Sequence, residues 1–274
     1  LTSEEIRSWR ETIHRQGNSG LGTRGEVLTF IKSVGFCFAF GPENGDTPSL
    51  GAALVQGEFS TGKINSGSSR MDIRKVIPSG AKVYLGRLLK NKPTIVSPEF
   101  LTFFYALSRR SGALDEHTEE HRKGTLSSAA QLIMQALMEE SPQATFALRL
   151  ASGLNGTADR KKFEHALGEL QKKMFIVQSA GGVSPAQQEW DILVRRFPKE
   201  ATKSHLISEE EARARVLGKY CQNQLVVTVP GIQKFFGWEK QEIFRALGFL
   251  KREGTITPEV RVDGKDGKFY AFIH

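Results

Sequence analysis

The chain has 274 residues and only two cysteines, Cys37 and Cys221. Two thiols build neither a disulfide framework nor a four-cysteine metal site, so reduced thiols of an intracellular protein are expected. No run approaches the roughly 18 apolar residues that a membrane-spanning helix requires. The N-terminus is polar and charged, without the apolar stretch of a secretion signal. No membrane partner is therefore expected, and the expected location is the bacterial cytoplasm or nucleoid. The chain begins at Leu1 rather than Met, which fits removal of an upstream segment.

Catalytic signatures are equally scarce. A nucleophile elbow, a paired-carboxylate motif and a dinucleotide fingerprint are all missing. Gly57 and Gly62-Lys63 have the spacing of a phosphate-binding loop. Ile64 stands where Ser or Thr must ligate magnesium, and no apolar strand precedes Gly57, so that motif is excluded. His117 and His121 fall one helical turn apart without a third ligand marked by spacing, so a solvated linker helix is the expectation there. Neither metal nor cofactor is expected.

Acidic residues are few in the first third. Residues 1–110 carry 15 Lys and Arg against 9 Asp and Glu, and within residues 60–92 eight basic residues face one acid, Asp72. The next segment, 111–199, balances at 11 of each, and 200–274 holds 12 against 10, within a net charge of +8. A basic excess concentrated in this way attracts polyanions, of which nucleic acid is the commonest inside cells.

What is present is a recurring pattern. At the C-terminal end, Thr228 can cap a helix over 229–236 that Gly237 ends, and a helix over 239–253 places Ile243, Leu247 and Leu250 on one face. Residues 255–262 and 268–273 alternate as a hairpin. With a helix over 208–223 in front, the order is helix, helix, helix, hairpin, that of a winged helix. The pattern appears earlier as well. Helices are expected over 125–140, 145–151 and 158–174, the last with Phe163, Ala166, Leu167, Leu170 and Met174 inward, followed by strands over 175–178 and 189–194. In the first third, helices are expected over 4–14, 25–34, 50–55, 82–89 and 98–108, with a buried strand over 36–40. The fold class expected is mainly α with small β wings (α+β), as tandem winged-helix (helix-turn-helix) domains, three if the first third is a diverged copy. The expected division is a polar lead-in over 1–24, an N-terminal helical domain over 25–123, and winged helices over 124–200 and 201–274.

Several segments resemble one family: Val34-Gly35-Phe36-Cys37-Phe38 followed by Thr47-Pro48-Ser49-Leu50, Tyr84-Leu85-Gly86-Arg87-Leu88-Leu89, Val96-Ser97 leading to Phe104-Tyr105-Ala106-Leu107, Gly124-Thr125-Leu126-Ser127, and Phe163 through Gln171. Together they resemble the AlkZ/YcaQ-related winged-helix proteins, which include crosslink-repair DNA glycosylases, and look closest to the AlkZ-related branch. The resemblance implies three winged-helix units cupping a DNA-sized surface. It also implies a glutamine–hydrophobic–glutamine (or aspartate) motif in the glycosylases. Gln222-Asn223-Gln224 is the nearest string, with a polar residue in its middle, so no catalytic residue is carried over.

The expected partner is double-stranded DNA, with a protein partner or a second copy on the C-terminal winged helix as a further possibility. The candidate contacts are Lys63, Arg70, Arg74, Lys75, Arg87, Lys90 and Lys92 in the basic stretch, Arg160, Lys161 and Lys162 in the middle unit, and Lys240, Arg245, Lys265 and Lys268 in the last. The expected role is non-enzymatic DNA binding in transcription or repair. The alternative is a glycosylase acting on alkylated or crosslinked bases.

Overall fold

A computed structural model describes residues 1–16, 20–41, 47–54, 76–77, 80–179 and 188–273. It is mainly helical, with three small antiparallel sheets of three strands each. In every sheet the strand that comes last in sequence is central, and the short first strand and the second strand flank it.

The first unit starts at α2 (Arg24–Val34), which Thr23 and Glu26 open with a reciprocal capping box. Gly35 ends it at φ 75° with its Cα against Phe100, where an added Cβ would lie 2.6 Å from Cδ2 of that ring. Then come β1 (Phe36–Phe38), α3 (Leu50–Ala53), β2 (Tyr84–Leu89) and β3 (Lys92–Val96), followed by α4 (Pro98–Leu107) and α5 (Glu116–Arg122). The middle unit is α6 (Ser128–Glu139), β4 (Gln143–Ala144), α7 (Thr145–Ala151), α8 (Arg160–Lys172), β5 (Ile176–Gln178) and β6 (Glu189–Ile192). Two short helices, α9 (Leu193–Arg196) and α10 (Pro198–Ser204), lead to the last unit. That unit is α11 (Glu209–Gln224), β7 (Val226–Val227), α12 (Val229–Phe236), α13 (Lys240–Arg252), β8 (Ile256–Val262) and β9 (Lys265–Phe272). Thr228 caps α12 and Gly237 closes it in the left-handed conformation, as their positions predict.

One expected helix is a strand. Residues 84–89 pair with β3 in the register Tyr84↔Val96 and Leu85↔Ile95. Lys90 and Asn91, at φ 51° and 55°, make the two-residue turn that reverses the chain between them. The apolar positions there suit either period, and the decision falls to a pairing partner that local propensity does not register.

The charged connection after α4 is not a solvated linker. Arg110 has a side chain only 5% exposed and pairs with Glu116 at 3.0 Å and Glu120 at 2.9 Å. Its guanidinium lies 3.2 Å from the centroid of the Phe175 ring, and Lys173 closes on Glu120 at 2.6 Å. His117 is buried with Nδ1 2.8 Å from the Leu114 carbonyl, whereas Nδ1 of His121 faces the Leu126 carbonyl at 2.9 Å. The two rings thus serve separate backbone carbonyls. Among the described residues, no group of three or more His, Cys, Asp or Glu side chains is placed to hold a metal.

The stretch read as a polar lead-in carries α1 (Ser3–His14), opened by a capping box of Thr2 and Glu5. It docks on the last unit: Trp9 Nε1 donates to the Gln222 carbonyl at 2.8 Å, and His14 Nε2 lies 3.0 Å from the Asn223 carbonyl. Asn223 Nδ2 donates to the carbonyl of Val34 at 2.9 Å. Gln222-Asn223-Gln224 is therefore the joint where α1, α2 and α11 meet.

The largest apolar core is not confined to one unit. Phe36, Phe38, Tyr84, Phe100 and Phe104 from the first third join Leu217, Tyr220, Ile232, Phe235, Ile243 and Leu250 from the last. Helix α4, apolar nearly all round, sits in it against α10 and α11. The middle unit has a core of its own around Ile133, Leu137, Phe163, Leu170 and Trp190. Both thiols are buried, which pushes each up to about 12. No described helix is long and apolar enough to cross a membrane.

Candidate nucleic-acid interface

Helix α8 is amphipathic by construction. Phe163, Ala166, Leu167 and Leu170 recur at helical spacing and are buried in the middle core. The same spacing sends Lys161, Lys162, His165 and Lys172 to the outside, where all four are exposed. Between them lies Gly168, at which an added Cβ would meet nothing within 4 Å. The helix thus offers a bare backbone strip flanked by cations.

The carboxylates of this helix are already engaged. Glu164 pairs with Arg160 at 3.0 Å. Glu169 accepts the Ser127 backbone N–H at 3.0 Å and takes that residue's hydroxyl as well. No described carboxylate forms an ion pair with Lys161, Lys162 or Lys172. The outward face is left with uncompensated positive charge, the physical requirement for holding phosphates.

The hairpin of the first unit is seated beside this helix. The Arg87 backbone N–H donates to Oε1 of Gln171 at 3.2 Å, bringing the exposed Arg87 to the flank of α8. At the other end of the hairpin, Lys90 Nζ lies 5.0 Å from the centroid of Phe235 and Lys92 Nζ 5.5 Å from that of Phe38. The hairpin therefore bridges the middle and last units, with its turn cations over aromatic rings.

Of the other candidates, Arg160 is exposed but paired with Glu164, and Lys240, Arg245, Lys265 and Lys268 are exposed on the last unit. Lys63, Arg70, Arg74 and Lys75 lie outside the described residues. Of the aromatics that could stack on bases, Phe30, Phe36, Phe38, Phe104 and Tyr84 are buried core residues, Phe103 is partly buried and Phe40 is exposed. Gln222-Asn223-Gln224 forms the joint already described, with Asn223 and Gln224 buried.

Two residues of the α8 face, His165 and Lys172, were not among the sequence candidates. A signal for them exists. Ala166-Leu167-Gly168-Glu169-Leu170 in α8 recurs as Ala246-Leu247-Gly248-Phe249-Leu250 in α13. The register carries Phe163 onto Ile243, His165 onto Arg245 and Lys172 onto Arg252. The inward members of each pair are buried and the outward members exposed, so the repeat extends to residues as well as to pattern.

The sheets and helices define a winged-helix-like scaffold with a basic helix face. A family model described as AlkZ related matches residues 21–226, and the chain belongs to the AlkZ-related family. Among solved structures it is similar to the DNA glycosylase AlkZ of Streptomyces sahachiroi. The TM-score is 0.60 at 9% identity, covering 99% of this chain and 70% of that one. The likeness is one of fold. No curated protein matches the chain.

Proposed function

We propose that the protein binds double-stranded DNA through tandem winged-helix units, over 25–123, 124–200 and 201–274, without cleaving a glycosidic bond. The observation that carries this reading is the outward face of α8, where Lys161, Lys162 and Lys172 surround an open glycine and no described carboxylate compensates them. Arg87 extends the same positive surface from the neighbouring hairpin. Membership of the AlkZ-related family, together with a fold likeness to a DNA glycosylase, supports the same ligand. The basic residues over 60–92, seven of the candidates among them, join this footprint in the reading. The reading puts the protein in the bacterial cytoplasm or nucleoid, a location with which a DNA ligand and buried free thiols are compatible.

Glycosylase chemistry needs a pocket for a flipped base and a carboxylate or amide that orients water. Several carboxylates that could serve are tied into the fold: Glu116 and Glu120 to Arg110, Glu242 to Arg213, and Glu26 to the cap of α2. One cavity among the described residues, next to Arg110 and lined also by Tyr105 and Phe175, has about 10 Å³, room for a single water. The engagement of these carboxylates favours binding over base excision.

The test is a salt titration of duplex affinity. Replacing Lys161, Lys162 and Lys172 together by Ala is expected to weaken binding to all duplexes and to lower the salt slope by about 3. An unchanged slope would remove α8 from the interface. Incubation with alkylated and crosslinked duplexes, scored for abasic sites, separates binding from excision, and base release would overturn the non-enzymatic reading.

A further inference from the structure

Helices α8 and α13 share a register but not a surface chemistry. On α13, Gln241, Phe244, Arg245, Gly248 and Arg252 fall on one face by their three- and four-residue spacings. Gln241, Phe244, Arg245 and Arg252 are all exposed, and Phe244 holds 54% of its surface in water. Their counterparts on α8 are Lys161, Glu164, His165, Gly168 and Lys172. Of the acids at α13, Glu239 stands exposed at its N-cap, and the other two are turned aside. Glu242 accepts the Glu239 backbone N–H at 3.0 Å and pairs with Arg213 at 2.7 Å, and Glu253 pairs with Arg215 at 3.1 Å. No described carboxylate pairs with Lys240, Arg245, Lys251 or Arg252.

We propose that α13 is the base-reading helix, entering the major groove with Gln241, Phe244 and Arg245, while α8 holds phosphates. The proposal rests on the DNA-binding reading above and adds a division of labour to it. A glutamine amide can bond adenine at N6 and N7, and an arginine fork can bond guanine at O6 and N7. A phenylalanine edge can meet the thymine methyl. These three types stand together in the first two turns of α13, the part of a recognition helix that reaches base edges. Gly248 supplies the clearance: a Cβ there would meet only the flexible end of Arg252, at 3.7 Å. The matching face of α8 has lysines and a histidine, with Glu164 paired to Arg160, and such cations suit phosphate oxygens and carry little sequence information. Four unpaired cations on α13 favour a polyanion over an apolar protein surface as its occupant.

The experiment is selection of a random duplex pool by the full chain, followed by affinity measurements on the selected duplex and on a scrambled duplex of equal length. The wild-type protein is expected to enrich a defined motif. Gln241→Ala and Phe244→Ala should weaken the selected duplex about tenfold or more and leave the scrambled one unchanged. Arg245→Lys keeps the charge and loses the fork, so it should do the same. Lys161→Ala with Lys162→Ala should weaken both duplexes alike. The proposal is overturned if the wild-type chain binds DNA but enriches no motif, or if the α13 variants weaken both duplexes equally. It is overturned as well if those variants leave both affinities intact and abolish self-association in sedimentation velocity, which would give the face to a second copy. Failure of the wild-type chain to bind any duplex at low salt would instead remove the DNA-binding reading itself.

Discussion

Arg110 shows how a single side chain can join two units. It leaves α4 as a buried cation, stacks on Phe175 of the middle unit and meets Glu116 and Glu120 of α5. A charge so placed requires partners, and the partners in turn require it. Arg110→Met is expected to cost about 3–5 kcal/mol, because Glu116 and Glu120 are left without their cation; the urea midpoint measures it. Burial alone would push the Glu120 carboxyl up. The Lys173 hydrogen bond and the charges of Arg110 and Lys173 outweigh burial, so its value lies below 4.5. A folded-state value below the unfolded one gives stability that is present above the unfolded value and lost as pH falls through the folded one. Unfolding free energy should therefore decline on acidification below about pH 4.5, and Glu120→Gln should flatten that decline. An identical pH profile in the variant would show that the pair contributes no pH-dependent stability. The sequence shows this cluster as alternating charges over 110–123, and nothing in that string tells a solvated face from a buried clamp.

Among the elements, those that cap and bury themselves locally are legible in the sequence. Helix α12 runs as its cap, closing glycine and apolar spacing predict, α7 spans the expected 145–151 without a side-chain cap, and α8 and α13 differ from expectation by a residue or two at their ends. The two-residue strands β4 and β7 left no signal, because each exists only as an edge added to a hairpin. Strand β2 suits a helix by its local pattern and becomes a strand through its pairing with β3. Helix α1 lies between these cases: its cap is readable, but its docking is not. Trp9 carries that docking with one hydrogen bond to α11 and a ring contact with Phe272, centroids 6.3 Å apart. Trp9→Ala is expected to release α1, at a cost of about 3 kcal/mol, and to raise hydrogen exchange in residues 3–14 far more than in α6. Equal exchange rates in α1 before and after the substitution would show that the remaining contacts, those of Ile6, Arg10 and His14 among them, hold the helix without Trp9.

At the scale of the molecule, the three units are not beads on a string. The first and last share a core through α4, and the first-unit hairpin is wedged between α8 and the rings of α12. Deleting residues 208–274 would uncover Phe36, Phe38, Phe100 and Phe104 at once, an apolar surface that water does not tolerate. The truncated chain is expected to be insoluble, or to lose the cooperative melt of the full chain in calorimetry. A soluble remainder with an unchanged transition would show that the shared core is dispensable.

The sequence by itself determined the helical character, the Thr228 and Gly237 caps of α12, the winged-helix order of the last two units and the basic bias of the first third. These follow from spacing, turn chemistry and charge, all of which act within a few residues. Only the tertiary structure decided which cations remain uncompensated. Glu164, Glu169 and Glu242 cancel positive charge in any count, yet their carboxylates bond to Arg160, Ser127 and Arg213 and leave the outward faces of α8 and α13 positive. Ion pairing falls off steeply with distance, so a sum over sequence neighbours does not predict the field at a surface. The last unit looks nearly neutral as a string of residues; folded, it presents a face of unpaired cations around Gly248.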